Sequence, residues 1–125
     1  MPDVAQGLVL MLPERIRLRK SKEFQRVYLD GKAFYGKFIT LRVLSRGDLD
    51  DTRFGFAPSR KIRRAVDRNL VKRRYREICR KCYPFLKSGY DVVVNIKESA
   101  VTATFAELRD DFYGLLKRAG LFLTS

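Results

Sequence analysis

One stretch of the chain, residues 60–81, constrains both the fold and the binding partner more than any other. It reads RKIRRAVDRNLVKRRYREICRK and holds eleven lysines or arginines against two acids, Asp67 and Glu77. The stretch therefore carries +9 of the net charge of +13 that the 125 residues have together. A solvated surface normally mixes charges of both signs. A segment so nearly of one sign repels itself, which favours a polyanionic partner over plain exposure to water.

The apolar residues of this stretch are spaced for an α-helix. At about 100° per residue, one narrow face collects Val71, Tyr75, Ile78 and Cys82. The opposite face collects Asn69, Lys72, Arg73, Arg76 and Arg80. Pro84 predicts the end of the helix, because proline lacks the N–H that an interior position needs. We therefore expect a helix with one face on a core and the other presenting guanidinium groups.

The composition predicts one domain and a nucleic-acid partner. With 46% hydrophobic residues, including nine phenylalanines and six tyrosines, 125 residues suffice for a core. The positive charge points to a nucleic acid, and we expect no membrane partner because no run of 18 or more apolar residues is present. Residues 1–13 lack the basic start and the cleavage pattern of a signal peptide. We interpret them as a loosely ordered leader before a single domain at 14–120, in a cytoplasmic protein.

The sequence contains few candidates for a metal site or a catalytic residue. There is no histidine, so the pair Cys79 and Cys82 lacks the further ligands of a zinc site. We predict that both cysteines are buried in the core. Asp48, Asp50 and Asp51 fit a turn whose side chains bond their own backbone better than they fit a metal cluster. We predict no catalytic residue and no metal site on the polypeptide.

The pattern outside the basic stretch predicts two further helices. A short helix is expected with Ser21 as its N-cap, over KEFQRVYLD, ending at Gly31. Thr104 and Glu107 form a capping box for a last helix over about residues 104–118.

Strands are expected on both sides of the basic helix. Residues 32–45 are β-rich and are interrupted by a turn or bulge at Gly36. Residues 52–57 read as the second strand of a hairpin that turns over residues 46–51. Residues 90–96, YDVVVNI, are typical of a strand buried on both faces. The elements combine into a single-domain α+β fold, an α/β sandwich of three helices and an approximately four-stranded mixed sheet in the order α-β-β-β-α-β-α.

Two aromatic residues of the first helix allow two interpretations. Phe24 and Tyr28 stand one turn apart and share an apolar face with Val27, which ordinarily packs on a core. An aromatic pair among basic residues is also how proteins build a surface on which bases stack. Composition alone leaves both interpretations open.

The basic stretch, as SRKIRRAVDRNLVKRRYRE, closely resembles the signature of the protein component of bacterial ribonuclease P. The family pattern Ala-Val-x-Arg-Asn-x-x-Lys-Arg-x-x-Arg is met by Ala65, Val66, Arg68, Asn69, Lys72, Arg73 and Arg76. RLRKSKEFQRVY resembles the family's first helix, GKAFYGKFITL its early strands and GYDVVVNIK the strand after the signature. The resemblance covers about residues 14 to 118.

The resemblance implies an accessory subunit whose partner, the catalytic ribonuclease P RNA, removes the 5′ leader from precursor tRNA. It implies magnesium held mainly by the RNA, no obligate protein partner, and a left-handed crossover between the parallel strands that flank the signature helix. The residues expected to face the RNA are Lys61, Arg68, Asn69, Lys72, Arg73, Arg76 and Arg80. The residues expected in the cleft for the 5′ leader are Phe24, Tyr28 and Phe38.

The chain departs from the family pattern at three positions. Arg63 stands where the family commonly has glycine, and Leu70 where a third basic residue is common. Leu41 takes a strand position that often carries an aromatic residue of the cleft, and Phe38 is the nearby residue expected to compensate.

Three other functions are compatible with a small basic domain. A structural RNA-binding protein of the ribosomal type has a similar charge and fold class. A DNA-binding regulator would need neutral residues that read bases on its helix, and Asn69 is the one good candidate. A protein-only nuclease would need a general base or a metal-activated water, for which this chain has no histidine.

Overall fold

The elements follow one another as the sequence pattern predicts. A computed structural model describes residues 12–123. Its helices are α1 (Ser21–Asp30), α2 (Ala65–Cys82) and α3 (Phe105–Arg118). Its strands are β1 (Lys32–Tyr35), β2 (Ile39–Ser45), β3 (Arg53–Pro58) and β4 (Tyr90–Ile96), and short 3-10 turns lie at Glu14–Ile16, Tyr83–Phe85 and Glu98–Ala100. The α+β class and the order α-β-β-β-α-β-α are confirmed.

Most of the predicted leader, residues 1–11 of 1–13, lies outside the described residues. Leu12, which follows, is buried in the core with 2% of its surface exposed. Within residues 12–123, no helix is long and apolar enough to cross a membrane.

The strands form one sheet in the order β1-β2-β4-β3. β1 and β2 are an antiparallel hairpin, β2 pairs antiparallel with β4, and β3 pairs parallel with β4. The expectation that residues 52–57 pair with the preceding strand in a hairpin is therefore wrong. The reason lies in β4, whose Val92, Val93 and Val94 are fully buried. Such a strand lies in the interior of the sheet, and β4 accordingly pairs with β2 along one edge and with β3 along the other. The left-handed crossover from β3 through α2 to β4 stays a prediction.

The main core lies between one face of the sheet and helices α2 and α3. The predicted apolar stripe of α2 is confirmed, since Val71, Tyr75, Ile78 and Cys82 are all buried. Tyr75 meets Phe112 of α3 edge to face, with ring centroids 5.9 Å apart. The capping box at the start of α3 is present: the Thr104 hydroxyl accepts from the Glu107 N–H at 3.1 Å.

Helix α1 packs on the other face of the sheet. Val27 is buried there against Val93 of β4. A side-chain carbon at Gly55 would lie 2.4 Å from the Cζ atom of Phe24, so the glycine lets this ring lie directly on β3. Ser21 is the first helical residue rather than the N-cap, because the Glu23 carboxylate accepts from the Lys20 N–H at 3.1 Å and closes the first turn.

The cysteines and aspartates take the structural roles predicted for them. Cys79 and Cys82 are free, buried thiols. In the turn between β2 and β3, the Asp48 carboxylate accepts from the N–H of Asp50 at 3.1 Å. Across residues 12–123 no group of three histidine, cysteine or carboxylate side chains is placed to hold a metal ion.

A buried ion network joins α1, β3, β4 and the turn after β2. Asp91 is 3% exposed, and its carboxylate accepts from Arg46 at 2.5 Å and from Arg53 at 2.9 Å. Arg53 also pairs with Glu23 of α1. Burial alone would raise the pKa of the Glu23 carboxyl, but the backbone N–H of Lys20 and the Arg53 guanidinium outweigh burial and lower that pKa. The network therefore ties α1 to the sheet through charges that satisfy one another.

Replacing Asp91 with asparagine should lower the free energy of unfolding by about 3 kcal/mol, because two partly buried guanidinium groups lose their carboxylate. Urea unfolding measures the change. Asp110→Asn is the matched control, since the Asp110 side chain is 71% exposed and its loss should cost less than about 0.5 kcal/mol. A loss below about 1 kcal/mol for Asp91→Asn would contradict the role given to this network.

Candidate nucleic-acid interface

Two neighbouring surfaces carry the residues that sequence analysis assigned to binding. The first, called here the helix surface, is the solvent side of α2 with the loop at residues 59–64. The second, called the cleft, is the end of the sheet face that α1 leaves uncovered beyond Tyr28.

The helix surface brings together all seven residues predicted to face RNA. Four of them are exposed, namely Lys61, Asn69, Arg73 and Arg76. Three are half-buried, namely Arg68, Lys72 and Arg80. The Nε atom of Arg80 is buried and has no hydrogen-bond partner among residues 12–123. The predicted set therefore shares one surface, although its members differ in how much they expose.

Arg68 also shapes the loop that begins the helix surface. Ile62 is 3% exposed and anchors this loop in the core. The Arg68 guanidinium donates to the carbonyl oxygens of Ile62 at 2.9 Å and Arg63 at 2.7 Å. Arg68 thus holds the loop against the start of α2, a role that the motif did not reveal.

The positive charges of the helix surface lack compensating acids. In the part of the chain that the structure describes, only Arg64 and Lys81 of residues 60–81 have a carboxylate partner, at 4.0 and 3.9 Å. Partial burial and the nearby charge of Arg17 lower the pKa of the Arg76 guanidinium. Like charges held together without acids create a strongly positive field, which a polyanion relieves.

The cleft is a groove of about 720 Å³ at the open end of the sheet. Tyr28, Thr40 and Asn95 lie on its floor, and residues 57–61 and 96–99 line its sides. Lys61 belongs to this lining as well as to the helix surface, so the two surfaces are continuous.

The three predicted cleft aromatics have different environments. Tyr28 is 43% exposed and borders the groove. Phe24 is half-buried against Leu18 and Gly55. The assignment of Phe38 to the cleft is wrong, because its ring is 6% exposed and lies in the main core. The Asp111 carboxylate of α3 accepts from the Phe38 N–H at 2.9 Å and holds the turn before β2 against that core.

The cleft and the sheet face beside it carry polar residues that sequence analysis did not assign, of which Thr40 and Asn95 line the groove. Leu41 is fully buried on the main core, so the alternation along β2 turns Thr40 and Arg42 toward α1. The Arg42 Nε donates to Asn95 Oδ1 at 3.0 Å, and Asn95 Nδ2 donates to the Tyr28 hydroxyl oxygen at 2.7 Å. The signal was the more polar face of β2 and the single asparagine in the apolar strand YDVVVNI.

The side chains on these two surfaces are of the types that bind nucleic acids. Guanidinium and ammonium groups attract phosphates, and exposed rings stack on bases. The carboxylates of Asp91 and Glu23 form salt bridges with arginines of the ion network. The arrangement fits a single strand in the cleft beside a structured polyanion on the helix surface.

Comparison with known proteins identifies close relatives. The family model for Ribonuclease P matches residues 12–120. The ribonuclease P protein component of Syntrophomonas wolfei is 34% identical over 112 residues, which is 90% of this chain and 93% of the relative. The ribonuclease P protein component of Symbiobacterium thermophilum is 39% identical over 105 residues, covering 84% of this chain and 91% of the relative.

Solved structures agree with this similarity. The structure of the Staphylococcus aureus RNase P protein matches with a TM-score of 0.79 at 26% identity, covering 86% of this chain and 98% of that one. The Thermotoga maritima RNase P protein, solved in complex with 1-(4-fluorophenyl)-2-thiourea, matches with a TM-score of 0.74 at 30% identity, covering 82% and 98%.

If the helix surface binds RNA through phosphates, its affinity for RNA should depend strongly on salt concentration. If about six of its side chains meet phosphates, the logarithm of RNA affinity should fall with the logarithm of salt concentration at a slope of about −4 to −5. Replacing Arg73 and Arg76 with glutamine should make the slope less steep by about 1.5, because two phosphate contacts are lost. Filter binding or fluorescence anisotropy over a salt series measures both slopes.

The matched control removes two charges from α3 instead, as Arg109→Gln with Lys117→Gln, and should leave the slope unchanged. A slope near −1 for the unaltered protein would rule out the helix surface as a phosphate-binding surface.

Proposed function

The chain belongs to the ribonuclease P protein family, and we propose that it holds the 5′ leader of precursor tRNA in the cleft while its helix surface binds the catalytic RNA. As a member of this family it is the accessory protein subunit of an endoribonuclease of tRNA processing, and its partner is the ribonuclease P RNA. The assignment of each surface to one RNA and the cytoplasmic location that precursor tRNA requires are parts of the proposal.

One observation carries the proposal: the cleft and the helix surface meet at the loop of residues 59–64. Lys61 lines the cleft and lies on the same loop that Arg68 closes over the start of α2. A single strand lying in the cleft therefore comes next to whatever binds the helix surface. This arrangement lets one small protein position a leader against a large RNA.

The helix surface supports binding to the catalytic RNA. Its arginines and lysines are largely without acid partners, whereas Arg46 and Arg53 elsewhere are engaged by Asp91. Folding brings the phosphates of an RNA close together, where they repel one another. The positively charged side chains of α2 lower this repulsion. The surface therefore stabilises the RNA fold as well as the complex.

The cleft supports binding to the leader. Tyr28 offers an exposed ring, and Arg60, Lys61 and Lys97 on the lining attract the backbone of a single strand. Stacking on an aromatic ring contributes about 1–3 kcal/mol per base and tolerates different bases. A leader bound in this way adds affinity that mature tRNA lacks.

The two surfaces of the protein offer few of the carboxylate oxygens that magnesium prefers. Residues 12–123 contain no cluster of carboxylates for it, and the two binding surfaces are lined mainly by donors. We therefore assign the magnesium of this enzyme mainly to the RNA. The protein contributes positive side chains, which replace part of the ionic screening that the RNA would otherwise take from the solution.

The proposal is tested by removal of the 5′ leader by a bacterial ribonuclease P RNA at low magnesium, with and without this protein. Cleavage that depends on both components supports it. No rescue by the protein, together with tight binding to unrelated structured RNA, would favour a structural RNA-binding protein.

Single substitutions in the cleft should separate leader binding from stability. Tyr28→Ala should weaken precursor tRNA binding about ten-fold while leaving mature tRNA binding unchanged, because the exposed ring is the better stacking surface. Phe24→Ala should affect precursor binding less and should cost about 2 kcal/mol of unfolding free energy, because its ring fills the space above Gly55.

Equilibrium binding of precursor and mature tRNA to the reconstituted enzyme measures the first effect, and urea unfolding the second. Phe85→Ala is the matched control, since that ring is 63% exposed beyond the end of α2 and outside both surfaces. Equal weakening of precursor and mature tRNA by Tyr28→Ala would place the ring outside the leader site.

A further inference from the structure

The outward face of α3 carries a groove that belongs to neither the helix surface nor the cleft. The groove has a volume of about 440 Å³ and is lined by Asp110, Tyr113, Gly114, Lys117 and Phe122. We propose that this face binds the same face of a second copy of the chain, with the two α3 helices antiparallel and a two-fold axis between Tyr113 and Gly114. The inference goes beyond the proposed function and does not depend on it.

Gly114 has no role in its own chain that requires glycine. It lies in the interior of α3, where glycine is less favourable than any residue except proline. A side-chain carbon at this position would meet no atom within 4 Å outside the local helix backbone, and the backbone has no positive φ there. The glycine therefore leaves a notch on the outer face of the helix, and close approach of another molecule is a physical reason for such a notch.

Tyr113 supplies a ring that such a notch can accept. The residue is half-buried, and its ring meets the Phe122 ring edge to face with centroids 6.1 Å apart, which restrains it beside the groove. Next to Phe122, Leu123 and Phe85 are also exposed, and the Leu123 N–H donates to the Phe85 carbonyl oxygen at 2.8 Å. An exposed apolar surface of this kind favours a protein partner over a nucleic acid.

The charges on this face select a second copy as the partner and fix one register. In a two-fold pair of antiparallel helices, residues equally far from the axis on its two sides lie opposite each other. An axis between Tyr113 and Gly114 places each ring opposite the other copy's notch, and it places Asp110 opposite Lys117 of the second copy. A register centred on Asp110 or on Lys117 would instead place like charges opposite each other.

Asp110 and Lys117 are available for these pairs. The Asp110 side chain is 71% exposed, and its ion pair is with the adjacent Arg109 at 3.1 Å. An exposed pair of this kind is weak, so it does not prevent Asp110 from binding a second cation. Lys117 is exposed and takes part in none of the ion pairs among residues 12–123.

The net charge of the chain gives the pairing an unusual dependence on salt. Two copies that each carry +13 repel each other at long range, and salt screens this repulsion. The gain outweighs the loss from the two exposed Asp–Lys pairs, because each of these is weak. Self-association should therefore strengthen with salt, whereas two copies held together on one RNA should separate as their phosphate contacts weaken.

Sedimentation equilibrium of the full chain, purified free of RNA, measures the dissociation constant of the dimer. A single helix pair is a small interface, so we expect a dissociation constant in the micromolar range, lower at about 0.5 M salt than at about 0.1 M. Tyr113→Ala should raise the dissociation constant about ten-fold, because the notch of the other copy is left empty.

Gly114→Leu separates the interface from the stability of the chain. The leucine fills the notch and should raise the dissociation constant of the dimer by about ten-fold or more. The same substitution should leave the thermal unfolding temperature unchanged or higher, because leucine is the better helix former and its side chain enters open space.

Charge reversal tests the register. Asp110→Lys and Lys117→Asp should each weaken self-association about ten-fold, because like charges then lie opposite each other. Mixing the two variants should restore the dimer as a heterodimer, because every lysine then lies opposite an aspartate. Lys22→Asp is the matched control, since it changes the net charge as Lys117→Asp does but lies exposed on α1, on the other face of the sheet, and it should change the dissociation constant less than about two-fold.

Three outcomes would each overturn the inference. The first is a chain that stays monomeric at millimolar concentration in high salt. The second is a dimer that Gly114→Leu and the charge variants leave unchanged, which would place the contact on another surface. The third is association that ribonuclease treatment or added salt abolishes, which would show that RNA joins the copies. The test of leader removal gives its result independently of all three.

Discussion

The fold depends on the burial of β4 on both faces and both edges. Three consecutive valines, Val92 to Val94, leave this strand no stable place except the interior of the sheet. Its second neighbour, β3, runs parallel to it, and a parallel pair requires a crossover on one side of the sheet. That crossover is α2, so the need to bury β4 also places the most basic helix of the chain with its apolar stripe inward and its charges outward.

The arginines of this protein fall into two groups because their neighbours differ. Arg46 and Arg53 surround the buried Asp91 and stabilise the junction of α1 with the sheet. The arginines of α2 have few acids nearby, and two of them, Arg73 and Arg76, are exposed to solvent. The ion network at one end of α1 therefore provides stability without weakening the positive field at the helix surface. The uncovered sheet at the other end of α1 becomes the cleft.

Local features of this chain could be predicted from the sequence, and features that join distant residues could not. The stripe of α2 depends on spacing within one helix, and the capping box of α3 on residues three apart. The strand order required knowledge that β4 inserts between β2 and β3. The burial of Phe38 follows from its packing in the main core, and its backbone N–H donates to Asp111, which is 73 residues away. The network of Arg42, Asn95 and Tyr28 draws on three separate elements, so no local pattern reveals it.

The two cysteines on the inner side of α2 have a consequence for the chemistry of the protein. Burial, together with Cys82 beside it, raises the pKa of the Cys79 thiol well above its ordinary value. Oxidants and alkylating reagents attack the thiolate, so the Cys79 thiol is unreactive while α2 stays on the core. Cys82 is only 3% exposed, so its burial shields it from the same reagents. The helix that carries the positive surface is thus insensitive to the redox state of its surroundings. Any labelling of these thiols measures how often α2 separates from the sheet.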